Sequence, residues 1–332
     1  MAPSRRTHLH LFLGLAISAA AVYLSLRKID FQVLGAALRS SDYFYLLPAG
    51  IVQTACFFLK GAGWRYLLLP AKKGISPLST TAVLIIGLMV NDLFPAKMGE
   101  LARAYLIGNK EKLPKSLCLS TILVEHLLDI LILLMFLLIL LPWVSLPPWL
   151  QTSGIMVGFS ALVFIIALFF LMQREEKFLN WVYRLAGFLP RGGQEKIRGL
   201  SRNVIQGLRV VTGRNLLYAL AFLAGMWSMA SLMAYLVMAA FGLFLPIQAA
   251  VMVTVFSAFG KIIPSAPGAI GTIHYLVILV VTSFGVGKET ALAYAIVWHA
   301  LAYLMEVFLG AALLLAGHLS LTRITRQAEE TR

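Results

Sequence analysis

Charge is what this sequence has least of. Only 13% of its 332 residues are Asp, Glu, Lys or Arg, where soluble domains carry about 25%. So little charge cannot cover the surface of a soluble globule of this size, and it is further still from a disordered chain. Cysteine is nearly absent too. Cys56 and Cys118 each sit in an apolar stretch without metal-ligand spacing, which excludes a disulfide scaffold or zinc site and leaves two small hydrophobes. No G-x4-G-K-[ST] and no H-E-x-x-H occurs, so nothing supports direct nucleotide drive or zinc chemistry, and no cofactor is expected. What is abundant is apolar: 60% of residues, with a mean hydropathy of +0.86. The expected fold is all-α, a polytopic integral membrane protein forming a single transmembrane domain over residues 1–332.

Acidic residues are scarce relative to basic ones, 14 against 28, for a formal charge of +14. In a soluble chain that balance would suggest nucleic acid; here its placement explains it. A helix needs about 20 apolar residues to cross the hydrocarbon core. Full spans are expected at Leu9–Leu26, Phe44–Leu69, Ser116–Leu141, Ser153–Met172, Asn215–Phe241 and Thr290–Gly317. The first has basic flanks like a signal peptide but no small-residue cleavage site, and reads as a retained helix. Two further apolar regions, Leu78–Gly108 and Pro246–Gly285, are interrupted by Pro and Gly and are expected as broken helical hairpins. With both termini cytoplasmic, nineteen Lys and Arg fall inside and four outside (Arg27, Lys28, Arg39, Lys288), as positive-inside insertion requires. The first hairpin then enters from the cytoplasm and the second from outside.

The basic loop Gln173–Arg214 repeats apolar residues at helical spacing beside Lys177, Arg184, Arg198 and Arg202, so it is expected to lie in the headgroup plane. It is either a surface helix pair that sets orientation or a docking face. Trp64, Trp143, Trp149 and Trp181 fall near expected interfaces and read as aromatic-belt anchors.

Ionisable groups inside a bilayer cost roughly 2.5–3.5 kcal/mol each on insertion scales. This chain places Lys60, Arg65, Lys97, Arg103 and Lys261 there, with Asp92, Glu100, Glu125, Asp129 and Glu306. Around Asn91-Asp92 the first hairpin must break at Pro95 and Gly99. The arm that begins there presents its N-terminus, a natural anion site, with Lys97 and Arg103 beside it; Glu100 is expected to pair with Arg103 or Arg65. The second hairpin repeats the Pro-x3-Gly spacing at Pro267 and Gly271, with Gly268 between. Three full spans separate the two, so the halves are expected to be inverted, an arrangement that places a transporter substrate site where broken segments meet. Glu125 and Asp129 share a helix face, as do His299, Tyr303 and Glu306. Such acid–His sets either relay protons or neutralise neighbouring cations.

On these residues the chain resembles the flippase-like family related to the transmembrane region of lysylphosphatidylglycerol synthase. The resemblance is carried by Trp64-Arg65, by Asn91-x3-Pro95-x-Lys97-x-Gly99-Glu100-x2-Arg103, by Glu125-x3-Asp129, and by Pro264-x2-Pro267-Gly268-x2-Gly271. It differs at Lys97 and His126, where Arg is commoner, at Ala269 for a Gly, and at His274 for a frequent Glu. The resemblance implies translocation between leaflets of an anionic, aminoacylated or polyprenyl-phosphate-linked lipid, in a bacterial cytoplasmic membrane. The aminoacyl-transferase domain of bifunctional members is expected to be absent. Arg65, Asn91, Lys97, Gly99, Glu100, Arg103, Lys261, Pro267, Gly268 and Gly271 are the expected substrate-binding set. Asp92, Glu125, Asp129, His274, His299 and Glu306 are the expected charge-coupling set. The expected partners are membrane lipids, with a lipid-modifying enzyme or a second copy as further candidates and no nucleic acid. The expected protein is not an enzyme; the alternatives are an intramembrane enzyme using Glu125, Asp129 or His274 as acid or base, and an assembly partner for lipid modification.

Overall fold

The computed structural model describes residues 5–94, 97–140 and 213–317, with isolated positions between 163 and 195; side chains are described from residue 14 onward. The expected span Ser153–Met172 and the loop Gln173–Arg214 lie, isolated positions aside, outside the described residues, as do Pro95, Trp143, Trp149 and Trp181.

Among the described residues there are ten α-helices and no strand. In chain order they are α1 (Arg5–Leu26), α2 (Phe31–Arg39), α3 (Leu46–Leu68), α4 (Pro77–Leu93), α5 (Met98–Glu111), α6 (Lys115–Leu140), α7 (Arg214–Ala240), α8 (Ile247–Gly260), α9 (Thr272–Ser283) and α10 (Lys288–Ala316). Four of these, α3 (with the short turn Tyr43–Tyr45 before it), α6, α7 and α10, are long and apolar enough to cross a membrane. The chain is a polytopic, all-helical membrane protein.

Helix α2 is an element that hydropathy alone passes over. Asp30 starts it, its carboxylate accepting from the backbone N–H of Gln32 (2.8 Å) and Val33 (3.3 Å), as an N-cap does. Leu34 turns inward and the helix packs on α10. Lys288, at the start of α10, donates to the carbonyls of Leu24 (2.9 Å) and Arg27 (2.6 Å). It thereby occupies acceptors that the end of α1 leaves without helical donors.

Between lipid-facing helices there is little hydrophobic drive, so close packing must hold them. Small residues supply the close approach. A side chain on Gly61 of α3 would collide with Thr81 of α4, and one on Gly310 of α10 would come within 2.6 Å of Met89 on α4. Among the described residues two large apolar cores result, with a small third around Leu67, Val124 and Ala219. One gathers Met233, Val253, Val277 and Tyr294 around α7–α10; the other gathers Trp64, Met89, Ile107 and Ile122 around α3–α6.

Each of the two large cores contains one interrupted hairpin. Helix α4 ends at Leu93, Phe94 is extended, and α5 begins after Lys97, which is left-handed at φ 53°. Helix α8 ends at Gly260, and a turn through Pro267–Ala269 leads to α9, with Gly268 at φ 67° and Gly271 at φ 94°. Only glycine adopts these two angles without steric cost. The Pro267–Ala269 turn packs against α4, so the second hairpin touches the first arm of the first.

Candidate functional site

The bend of the first hairpin is held by one amide. Asn91 Oδ1 accepts from the backbone N–H of Gly99 (2.8 Å), and its Nδ2 donates to Glu100 Oε1 (3.0 Å). Asn91 thus occupies a donor that α5 leaves free at its start and fixes the orientation of Glu100. Gly99 is required here because a Cβ would strike the Gly87 carbonyl and the Asn91 side chain. The α5 N-terminus, expected as an anion site, therefore has an internal partner.

Arg103, one turn along α5, is 1% exposed. Its Nη2 lies 2.5 Å from Glu125 Oε2 on α6, and its Nη1 lies 3.2 Å from Glu100 Oε2. The guanidinium sits 4.3 Å from the centre of the Trp64 ring, a cation–π distance. Trp64, expected as an interfacial anchor, is instead wholly buried, with its Nε1 donating to Thr121 Oγ1 (3.1 Å). Helices α5 and α6 cover it, which its place at the end of a span does not reveal.

The network continues through Glu125. Lys60 of α3 lies 3.2 Å from Glu125 Oε1 and 2.6 Å from Asp129 Oδ2, and Trp227 of α7 donates to Asp129 Oδ1 (2.8 Å). His126 completes it, its Nε2 3.2 Å from Glu100 Oε1. The His126 side chain is 36% exposed and forms the open edge of an otherwise enclosed cluster. Five helices, α3 to α7, thus meet on one set of charges. Pairing is what makes such charges tolerable: an isolated ion at this depth carries a solvation penalty of several kcal/mol, on the order of a whole domain's margin of stability.

A second group lies at the contact between the hairpins. Asp92 of α4, Glu306 of α10 and Lys261, just after α8, lie near enough to act on one another electrostatically. Glu306 is 6% exposed, and Asp92 Oδ2 is buried without a hydrogen-bond donor. Beyond them His299 lies edge-on to His274 (ring centres 4.9 Å) and to Tyr303 (6.1 Å). His274 Nδ1 accepts from the Gly271 N–H (3.3 Å) and so caps α9.

The sequence-derived set therefore separates. Asn91, Gly99, Glu100, Arg103, Glu125 and Asp129 form one network; Asp92, Glu306 and Lys261 form a second; Pro267, Gly268, Gly271, His274 and His299 shape the adjoining turn. Arg65 joins neither, because its Nε donates to the Ile75 carbonyl (2.5 Å) and fastens the α3–α4 loop. Glu100 accordingly pairs with Arg103 and not with Arg65. Lys97 is exposed at the hairpin bend. Lys60 and Trp227 are full members of the network that the sequence-derived set omits. Lys60 is legible as a lone cation in an apolar span, whereas Trp227 carries no signal amid neighbours as apolar as itself.

The profile of the lysylphosphatidylglycerol synthase TM region matches residues 11–310. The chain belongs to this family. Among curated proteins it is similar to the UPF0104 membrane proteins MJ1078 and MJ1595 of Methanocaldococcus jannaschii. The MJ1078 match is 26% identical over 68% of this chain and 92% of the relative. The MJ1595 match is 29% identical over 37% of this chain and spans only 35% of that relative's length. The family match runs from α1 through Gly310 and so takes in both hairpins and both charged groups.

Proposed function

We propose that this chain is a lipid translocase, without covalent chemistry of its own, that carries a lipid headgroup through its interior while the acyl chains stay in the bilayer. The observation that carries this reading is the contact of the Pro267–Ala269 turn with α4, which puts two broken hairpins and two buried charge groups against one another. Broken helices in opposed halves are how carriers expose one site alternately to each side. The halves are taken as inverted in a bacterial cytoplasmic membrane, with both termini on its cytoplasmic side, as the distribution of Lys and Arg favours.

The charge of the interior narrows the lipid. Asp92, Glu100, Glu125, Asp129 and Glu306 face only Lys60, Arg103 and Lys261 among the described cations. Arg65 is engaged elsewhere and Lys97 is exposed; Lys261 is exposed as well, but acts on Asp92 and Glu306. An interior with more carboxylates than cations suits a headgroup bearing an ammonium group better than a bare phosphate. Of the three lipid classes, an aminoacylated phospholipid fits best, and the family name points the same way. His126, Glu100 and Lys60, partly exposed, form the entrance.

Reconstitution tests the reading. Purified protein in liposomes, with a headgroup-labelled aminoacyl phospholipid in one leaflet, should bring the label to the other leaflet faster than protein-free vesicles. Label movement equal to protein-free vesicles, from protein shown to be folded, would overturn the proposal.

A further inference from the structure

Helix α3 ends at Leu68 and α6 begins at Lys115, and both helices are long and apolar enough to cross a membrane. The loops at those two ends lead into and out of the first hairpin: residues 69–76 precede α4, and residues 112–114 follow α5. Lys72 joins them, its Nζ donating to the Glu111 carbonyl (3.0 Å) and lying 2.7 Å from Glu111 Oε2. Both loops therefore meet at one face of the membrane, at the level where the apolar spans stop. Their backbones are held in place. Arg65 Nε donates to the carbonyl of Ile75, a residue only 1% exposed. The N–H of Leu113 returns to the Gly108 carbonyl (2.9 Å), and Lys115 lays its ammonium 4.2 Å from the centre of the Tyr105 ring.

Residues 69–76 and 109–115 hold five lysines, Lys72, Lys73, Lys110, Lys112 and Lys115, against one acid, Glu111. Lys72 takes that acid, and Lys115 has its aromatic ring. Lys73, Lys110 and Lys112 are exposed, and none of them forms an ion pair among the described residues. The helix ends nearby, those of α3 and α5, are each equivalent to about half a negative charge, too little to neutralise three lysines. At the level where the spans stop, the anions present at high local concentration are the phosphates of the leaflet, and each lysine near them adds roughly fivefold in affinity. We propose that Lys73, Lys110 and Lys112, on the scaffold that Lys72 and Glu111 tie together, bind the headgroup of an anionic phospholipid from the surrounding leaflet. The bound phosphate lies against both ends of the first hairpin and adds a second tie to the Lys72–Glu111 bond. Its chemistry is opposite to that of the interior, where carboxylates outnumber cations, so this lipid is one that stays in place and not one that is carried. The site does not depend on the translocase reading.

Thermal unfolding of the purified protein in detergent, titrated with phosphatidylglycerol or phosphatidylcholine, tests the site without any transport assay, since a ligand of the folded state raises the unfolding temperature. Phosphatidylglycerol should raise it saturably and phosphatidylcholine should not, and the rise should shrink with added sodium chloride. Lys73→Gln, Lys110→Gln and Lys112→Gln combined leave the Lys72–Glu111 bond in place. The half-saturating phosphatidylglycerol concentration of this variant should rise on the order of tenfold or more. Arg27→Gln, Lys28→Gln and Arg39→Gln combined remove as much charge from the segment before α3, at the other end of that span, and should leave the response at its wild-type value. Equal responses of the wild type to the two lipids would overturn the proposal, and this comparison stands even if a variant fails to fold. So would a lysine variant that responds as the wild type does, or an equal loss in the variant at the other end. A matching rise with soluble glycerol phosphate would also overturn it, by making the ligand a free anion and not a lipid.

Discussion

The guanidinium of Arg103 lies on the indole of Trp64, 4.3 Å from the ring centre, with both side chains sealed from solvent. The indole covers a face of the cation that carboxylates do not reach, and its Nε1 is bonded to Thr121. Trp64→Phe keeps the ring face and loses that hydrogen bond, so it should cost about 1 kcal/mol. Trp64→Leu also loses the cation–π contact and should cost about 2 kcal/mol more. Unfolding temperatures of the two purified variants should fall in that order. Equal losses would show that the ring face contributes nothing.

Arg103→Ala is a more severe change. It leaves Glu125 and Glu100 facing each other without their shared cation, and breaking a buried pair in this way costs about 3–5 kcal/mol. Arg103→Lys should recover only part of that, because an ammonium cannot reach Glu100 and Glu125 in the forked geometry that the guanidinium uses. Denaturation in detergent should therefore rank wild type above Arg103→Lys and Arg103→Lys above Arg103→Ala. Lys equal to Arg would mean that charge alone, and not geometry, holds α5 to α6.

Gly99 and Gly87 together set how closely α5 lies on α4. A Cβ at Gly99 meets the Gly87 carbonyl, and a Cβ at Gly87 meets the aliphatic stem of Arg103. Backbone cannot yield as a flexible side chain can, so Gly99→Ala should be the more damaging of the two. Yield of folded protein after detergent extraction checks this. Gly99→Ala at wild-type yield would show that the Asn91 bridge is not needed to close the hairpin.

The two hairpin breaks are legible in the sequence because Pro and Gly interrupt apolar runs, and a helix cannot continue through them at membrane depth without lost hydrogen bonds. The four long apolar helices among the described residues are legible for the same physical reason: a bilayer demands about 20 apolar residues in a row. Partnership is another matter. Spacing shows that Glu125 and Asp129 share a face, but not that Lys60 from α3 and Trp227 from α7 converge on it. Arg65 and Arg103 look alike in sequence as cations at the ends of apolar segments. Only the fold shows that one fastens a loop carbonyl and the other sits at the centre of a charge network. Helix α2 is too short to register as a span, and its Asp30 cap is its one local signal.

Ala269 occupies a left-handed conformation, φ 52°, in the turn of the second hairpin. A Cβ in that region costs roughly 1–2 kcal/mol, while glycine there adds some freedom to the unfolded chain. Relief of the strain outweighs that added freedom, so Ala269→Gly should raise stability by about 1 kcal/mol, read as a higher unfolding temperature. An unchanged or lowered temperature would mean that the apolar contacts of the Ala269 methyl outweigh its strain.

The Lys60–Asp129 pair separates structure from function. Lys60→Met alone leaves Asp129 without its cation and Glu125 with Arg103 alone, and should destabilise by about 3–5 kcal/mol. Replacing the pair together, Lys60→Met with Asp129→Leu, removes both charges and should recover most of that loss, since apolar side chains of similar volume substitute well for a buried ion pair. Trp227 Nε1 loses its acceptor in the double variant, a residual cost of about 1–3 kcal/mol. If the carboxylates serve only to balance cations, the stable double variant should translocate lipid as the wild type does. If Asp129 takes part in holding an ammonium headgroup, the same variant should fold yet leave the labelled lipid in its original leaflet. The translocase reading predicts the second outcome. Full transport by the double variant would take Asp129 out of the binding site and confine the headgroup to Glu100 and the His126 edge.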